Sequence, residues 1–201
     1  AMPVGSFGAR FTEMAEVFGA SVRRIETEWG KAARPEVLEE VLAEEPDTRA
    51  VLLTHNETST GVLNDIQALA RVVRRQTPNA LILVDSISGM LAADIRPDEW
   101  DLDVVVAGSQ KAWMIPPGLT FLSVSPRAWE AHRAAKMPRF YFDFTRMKKS
   151  MATDQTPYTP ALPQLFGLEV SLGRILAEGL PASFARHARL AAATRAAVQA
   201  L

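Results

Sequence analysis

Apolar and polar positions along the chain follow two different rhythms. Short runs rich in β-branched and aliphatic residues predict strands over residues 21–25, 49–54, 80–86, 104–106 and 120–124. Between them, apolar residues recur three and four apart and predict helices. Residues 9–18 place Phe11, Met14, Ala15, Val17 and Phe18 at helical spacing. Pro35 opens a second helix with Val37, Leu38, Val41 and Leu42 on one face and acidic residues near its start, where the helix dipole favours them. A third helix spans 64–75 with Asn64 as its N-cap. Residues 97–100 make one helical turn, and 126–136 form a helix with Trp129 turned inward. Residues 162–176 and 181–201 are amphipathic or alanine-rich helices. Strands alternating with helices predict an α/β fold with a mostly parallel sheet.

Composition narrows the class of protein. The 201 residues are 48% hydrophobic, enough for one domain with a sizeable core. A net charge of −1 gives no reason to expect nucleic acid or an anionic membrane surface as a partner. The aromatic stretch Phe140, Tyr141, Phe142, Phe144 has no clustered basic stripe beside it apart from Arg146, Lys148 and Lys149, too little basic charge for base stacking; a subunit interface suits it better. The sequence has no cysteine, which excludes disulfides and cysteine-based metal sites or nucleophiles. No apolar run approaches a membrane span, and a cytoplasmic location is expected.

Candidate chemistry gathers at two strand ends. The run at 80–84 ends in Asp85, and the run at 104–106 leads through Gly108 to Lys111 before the turn Pro116-Pro117-Gly118. Gly108 permits either a positive φ or a close approach of the backbone to a ligand. In an open α/β sheet the ligand crevice lies beyond the carboxyl ends of the strands, so Asp85 and Lys111 belong on one rim. A lysine there, partly desolvated, is a nucleophile able to form a Schiff base. One lysine and one carboxylate at that rim suit pyridoxal 5'-phosphate: the lysine holds the aldehyde carbon, and the carboxylate keeps the pyridine nitrogen protonated. Taken singly, Lys111 reads as an ordinary loop lysine, since short motifs match by accident.

The segment Val84-Asp85-Ser86, then Gly108-Ser109-Gln110-Lys111, then Pro116-Pro117-Gly118, preceded by His55-Asn56-Glu57-Thr58-Ser59-Thr60-Gly61-Val62, resembles the class V aminotransferases of fold type I. Within them it is most similar to the alanine–glyoxylate and serine–glyoxylate group. The resemblance implies the large domain of a three-layer α/β/α fold over residues 1–181, with 182–201 leading towards a small C-terminal domain. It implies that Lys111 and Asp85 are catalytic and bind the cofactor, that Phe7 in Gly5-Ser6-Phe7-Gly8 lies against the ring, and that Thr58 hydrogen-bonds near the ring's 3-oxygen. It also implies that Gln110 helps hold the phosphate, and that Thr159, with Thr156 beside it, reaches the phosphate of a partner subunit in a homodimer. His55 is expected to be a supporting hydrogen-bonding residue, while His132 and His187 are expected to be solvated.

The reaction implied is transfer of an amino group from alanine or serine to glyoxylate or pyruvate. The family's Gly/Ser-rich phosphate turn and its substrate-carboxylate arginine are expected outside these 201 residues, and neither Arg10 nor Arg139 replaces that arginine. Two alternatives stay open: another pyridoxal-phosphate reaction of the desulfurase or lyase type, or a non-catalytic scaffold. A nicotinamide dehydrogenase fits less well, because no Gly-x-Gly-x-x-Gly follows a predicted strand.

Overall fold

The computed structural model describes residues 1–201. Its elements run α1 (Ser6–Val17), α2 (Pro35–Glu44), β1 (Ala50–Thr54), β2 (Asn56–Glu57), β3 (Val62–Leu63), α3 (Ile66–Gln76), β4 (Leu81–Asp85), β5 (Val104–Gly108), β6 (Thr120–Val124), α4 (Pro126–Ala134), α5 (Phe144–Met151), α6 (Leu162–Glu178) and α7 (Leu180–Gln199). The main sheet has the order β1-β4-β5-β6. The first three strands are parallel and β6 is antiparallel to β5. The mostly parallel α/β architecture expected from the periodicity is therefore present.

Strand register assigns each residue to a face. Val51 pairs with Ile82, Leu53 with Val84, and Val84 with Val105. These buried residues form one core with Leu38 and Leu42 of α2 and Ile66, Leu69, Val72 and Val73 of α3. The α3 sequence explains this: apolar residues three and four apart put one stripe on the sheet, while Arg74 and Arg75 finish the helix where its dipole favours cations. The opposite face carries Thr54, Asp85 and Val106 side by side. Alternate residues of β4 and β5 on that face are only half-buried.

The lower edge of the sheet is fastened by a buried carboxylate. Asp103 accepts hydrogen bonds from Ile82 N, Ser125 Oγ and the guanidinium groups of Arg74 and Arg127. Burial pushes its carboxyl up, but these partners prevail and hold it below the usual carboxylate range. The bonds tie α3, β4, β5 and α4 together at the end of the sheet remote from Asp85.

Some expectations are corrected. Residues 21–25 are not a strand: Ile25 N donates to Ala1 O and the terminal amine to Arg23 O, but no ladder forms. The N-cap of α3 is Asp65, which accepts from Ala68 N. Asn64 instead buries its amide between segments, accepting from Ala33 N and donating to Thr54 O. Two histidines are not simply solvated. His132 Nε2 lies 2.8 Å from Thr145 Oγ1 and its ring stacks on Phe144, and His187 Nδ1 lies 2.8 Å from Ser183 O. No helix is long and apolar enough to cross a membrane.

Candidate active site

A cavity of about 360 Å³ opens beyond the carboxyl ends of β4 and β5, within the range usual for small-molecule sites. Asp85, the last residue of β4, pairs directly with Val106 of β5, and both line it. Lys111 reaches the same wall because the chain turns back after Gly108. Ile115 N bonds Ser109 O, Ser109 Oγ donates to Pro116 O, and Leu119 N donates to Ser109 Oγ. Met114, at a positive φ of 59°, completes the tight loop that starts with Lys111. Gly108 has no left-handed φ; a Cβ there would sit 3.0 Å from Gln110 Oε1 and 3.2 Å from Ile87 Cγ2, so those side chains would have to give way.

Phe7, Thr58 and Gln110 line the cavity with Asp85 and Lys111. Five of the seven residues singled out from the sequence thus meet around one space. Thr156 and Thr159 do not. They lie on the loop after α5, where Thr156 Oγ1 donates to Tyr158 O. Lys111 is exposed at the cavity wall, not partly buried as expected. Thr58 Oγ1 already donates to Ser88 Oγ, at 2.8 Å, so only its lone pairs remain for a ligand.

Asn56, Ser88, Ile87 and Arg10 also line the cavity and were not singled out from the sequence. Ser88 Oγ collects the amide of Asn56 and the hydroxyl of Thr58 and donates to Asn56 O. This closes the polar wall across two loops. Their signal in the sequence was only proximity to the motifs, since Ser and Asn are ordinary turn residues. Arg10, which had no role on sequence grounds, holds its guanidinium carbon 5.4 Å from the Phe7 ring centre.

Burial pushes the Asp85 carboxyl above the usual carboxylate range. The hydrogen bond from Ile87 N opposes this, and the nearby negative charge of Glu57 adds to it. No cation of the chain pairs with it. A carboxylate in that state favours a ligand that brings a positive charge to it, as the protonated ring nitrogen of pyridoxal phosphate does. The donor set therefore fits that cofactor: a carboxylate seeking a cation, a primary amine, a flat apolar ring and a hydroxyl–amide wall.

Behind this wall, His55 is 2% exposed with Nδ1 2.9 Å from Ser86 Oγ. Gly89 leaves room for the imidazole, since a Cβ there would lie 2.4 Å from Nδ1. His55 does not line the cavity, which agrees with a supporting role. Burial lowers its pKa to about 4, with Asp94 opposing weakly. The unfolded chain then takes up a proton near pH 6.5 that the folded chain refuses until about pH 4. His55 thus contributes stability that is complete above about pH 6.5 and is lost as the pH falls towards 4. The loss amounts to roughly 3 kcal/mol at about 1.36 kcal/mol per pH unit. Replacing His55 with Asn should flatten that part of the urea-midpoint profile of the full-length protein; an unchanged slope between pH 6.5 and 4 would assign it to other groups.

The family description Aminotransferase class-V matches residues 9–201. The chain belongs to the class-V aminotransferase family. It is 46% identical over 199 residues to the soluble hydrogenase small subunit of Synechococcus sp. (strain PCC 6716), covering 98% of this chain and 52% of that protein. It is 43% identical over 198 residues to the L-aspartate–glyoxylate aminotransferase of Paracoccus denitrificans (strain Pd 1222), covering 98% and 50% respectively. Among solved structures, the pyridoxamine–pyruvate aminotransferase of Mesorhizobium loti superposes with a TM-score of 0.92 at 30% identity, over 98% of this chain and 51% of that one. The chain spans about half the length of the relatives it matches. Class-V aminotransferases of fold type I are pyridoxal-phosphate enzymes, and the α/β sheet described above is the large-domain core of that fold.

Proposed function

We propose that the full-length protein is a pyridoxal-phosphate-dependent transaminase that moves an amino group from a small amino acid, alanine or serine, to a 2-oxo acid, glyoxylate or pyruvate. The observation that carries this reading is the meeting of Lys111, Asp85, Phe7, Thr58 and Gln110 around one cavity. The glyoxylate in the Paracoccus relative's name and the pyruvate in that of the Mesorhizobium enzyme support a 2-oxo acid as acceptor. The Synechococcus relative's name would call for hydrogen chemistry; a lysine and a carboxylate beside an aromatic wall favour amino transfer instead.

When bound, pyridoxal phosphate supplies an aldehyde for exchange of amines and a ring that accepts electrons from the substrate. Lys111 Nζ would hold the cofactor through its aldehyde carbon. Lys111 Nζ, once free, would be the group that takes the proton from the substrate Cα as base and returns it as acid. Asp85 holds the ring nitrogen protonated. Phe7 covers one ring face and excludes water, while Thr58 and Gln110 orient the ring oxygen and the phosphate. Thr159, with Thr156 beside it, reaches the phosphate of the partner subunit, so the site is complete only in a homodimer. The aromatic side chains of Phe140, Tyr141 and Phe142 are exposed and suit that interface. Residues 1–181 act as the cofactor-binding unit, with α7 leading into a small domain, and the protein works in the cytoplasm.

Incubating the full-length protein with pyridoxal phosphate should give a visible band that borohydride removes. Adding alanine or serine should convert it to the amine form of the cofactor, and glyoxylate or pyruvate should restore it. A reducible band that no amino acid in a broad panel converts would overturn transamination while leaving cofactor binding in place.

A further inference from the structure

Glu57 does not line the cavity, yet it is fully buried, 0% exposed, as the last residue of β2. Its carboxylate is the meeting point of two distant segments. Oε2 accepts from Gly8 N at 2.9 Å and Phe7 N at 3.1 Å, and Oε1 accepts from Ser59 N at 3.0 Å and Ser59 Oγ at 2.6 Å. Ser59 Oγ in turn accepts from Ser6 N at 2.9 Å. Three successive amides at the start of α1 are therefore taken by residues 57 and 59, and α1 has no side-chain cap of its own. The negative charge also lies where the helix dipole favours it.

Gly5 records the same contact from the other side. A Cβ at Gly5 would stand 2.5 Å from Glu57 Cγ and 2.6 Å from Ser59 Oγ. Its φ of 165° is extended backbone open to any residue, so the glycine is there to let the carboxylate in. A carboxylate suits the place better than an amide: each of its oxygens faces a backbone N–H, so on either side an amide NH₂ would meet a donor. Burial pushes the Glu57 carboxyl up, but the bonds from Ser59, Gly8 and Phe7 prevail and hold it below the usual range.

From this geometry we infer that Glu57 is a positioning residue for the cofactor: it clamps the first turn of α1, which carries Phe7, to β2 and the turn after it, which carry Asn56 and Thr58, and so fixes the aromatic wall against the polar wall. The inference rests on the pyridoxal-phosphate reading above. Glu57 touches neither cofactor nor substrate and acts through Phe7 and Thr58, whose chain neighbours it holds.

The test uses the full-length protein loaded with pyridoxal phosphate. Glu57→Gln should weaken cofactor affinity by roughly tenfold to a hundredfold, the range for losing a charged acceptor from buried donors. At saturating cofactor, the visible circular dichroism per reducible cofactor should fall, because the ring sits less firmly between its asymmetric walls. Far-UV circular dichroism should not change. Where Glu57→Gln does not fold, Ser59→Ala carries the test with the same readouts; it removes the hydroxyl that serves both Glu57 and the Ser6 amide. A variant that melts at lower temperature but keeps wild-type affinity and visible dichroism overturns the inference and leaves a purely structural carboxylate. If the wild type itself shows no borohydride-reducible band, the cofactor reading fails and this one with it, an outcome visible before any variant is made.

Discussion

Lys111→Ala should abolish the borohydride-reducible band of the full-length protein and lower turnover by about a thousandfold or more. Its position accounts for the size of the effect. Lys111 is the only lysine lining the cavity; Lys31 precedes α2, Lys136 follows α4, and Lys148 and Lys149 lie on α5. In the proposed reaction it serves twice, as the amine that takes the aldehyde and as the group that carries a proton. Positioned proton transfer alone contributes typically 10²–10⁴-fold. Lys111→Arg separates charge from chemistry: it keeps a cation at the wall but no amine able to take an aldehyde, and should lose the band as completely. The fold should survive both changes, because Lys111 is exposed and no hydrogen bond of the sheet passes through its side chain. A reducible band retained in Lys111→Ala would move the assignment to another lysine and remove the basis of the site.

How much of this site the sequence revealed depended on whether a residue's partners were near it in the chain. Asp85 and Lys111 were legible because each ends or follows an apolar run, and strand ends converge on one edge of a parallel sheet. Phe7, Thr58 and Gln110 were legible only through the order of motifs; nothing local in a Gly-Ser-Phe-Gly turn says that its ring faces a cavity. Glu57 was passed over within a quoted motif. A glutamate between Asn and Thr reads as a solvated turn residue, and its burial exists only because the start of α1, about fifty residues earlier, brings amides to it.

The same logic explains the errors in the fold. Residues 21–25 carry a strand's composition, but a strand also needs a neighbour with free backbone groups, and composition says nothing of that. Asn64 and Asp65 are both good caps. Asp65 took the role because Asn64 was claimed by Ala33 and Thr54, contacts of the tertiary fold. Gly108 was a choice between a positive φ and a close approach of the backbone to a ligand; its φ is not positive, and what crowds it is Gln110 and Ile87 of the chain itself.

Asp85→Asn should separate catalysis from stability in opposite directions. Asn keeps the shape of the side chain, and its Oδ1 can still accept from Ile87 N as Asp85 does at 2.9 Å. It cannot carry the charge that keeps the ring nitrogen protonated. Removing one partner of a buried ion pair costs about 3–5 kcal/mol, and at about 1.36 kcal/mol per decade turnover should fall by roughly 10²–10³-fold or more. Without cofactor the balance reverses. The folded Asp85 carboxyl lies above its ordinary value of 3.8, raised by burial and by Glu57. Above that pH the unfolded chain gives up the proton more readily than the folded one, so the charged group costs stability at neutral pH. That cost disappears as the pH falls below about 3.8, where both states hold the proton. Cofactor-free Asp85→Asn should therefore be at least as stable as the wild type at pH 7, with its advantage shrinking on acidification, while wild type should gain more from added pyridoxal phosphate than the variant does. Denaturation midpoints with and without cofactor across pH 4–8 check both halves. Near-normal turnover in Asp85→Asn would remove the charge from the mechanism, and a variant that is less stable without cofactor would show that the carboxylate earns its place structurally instead.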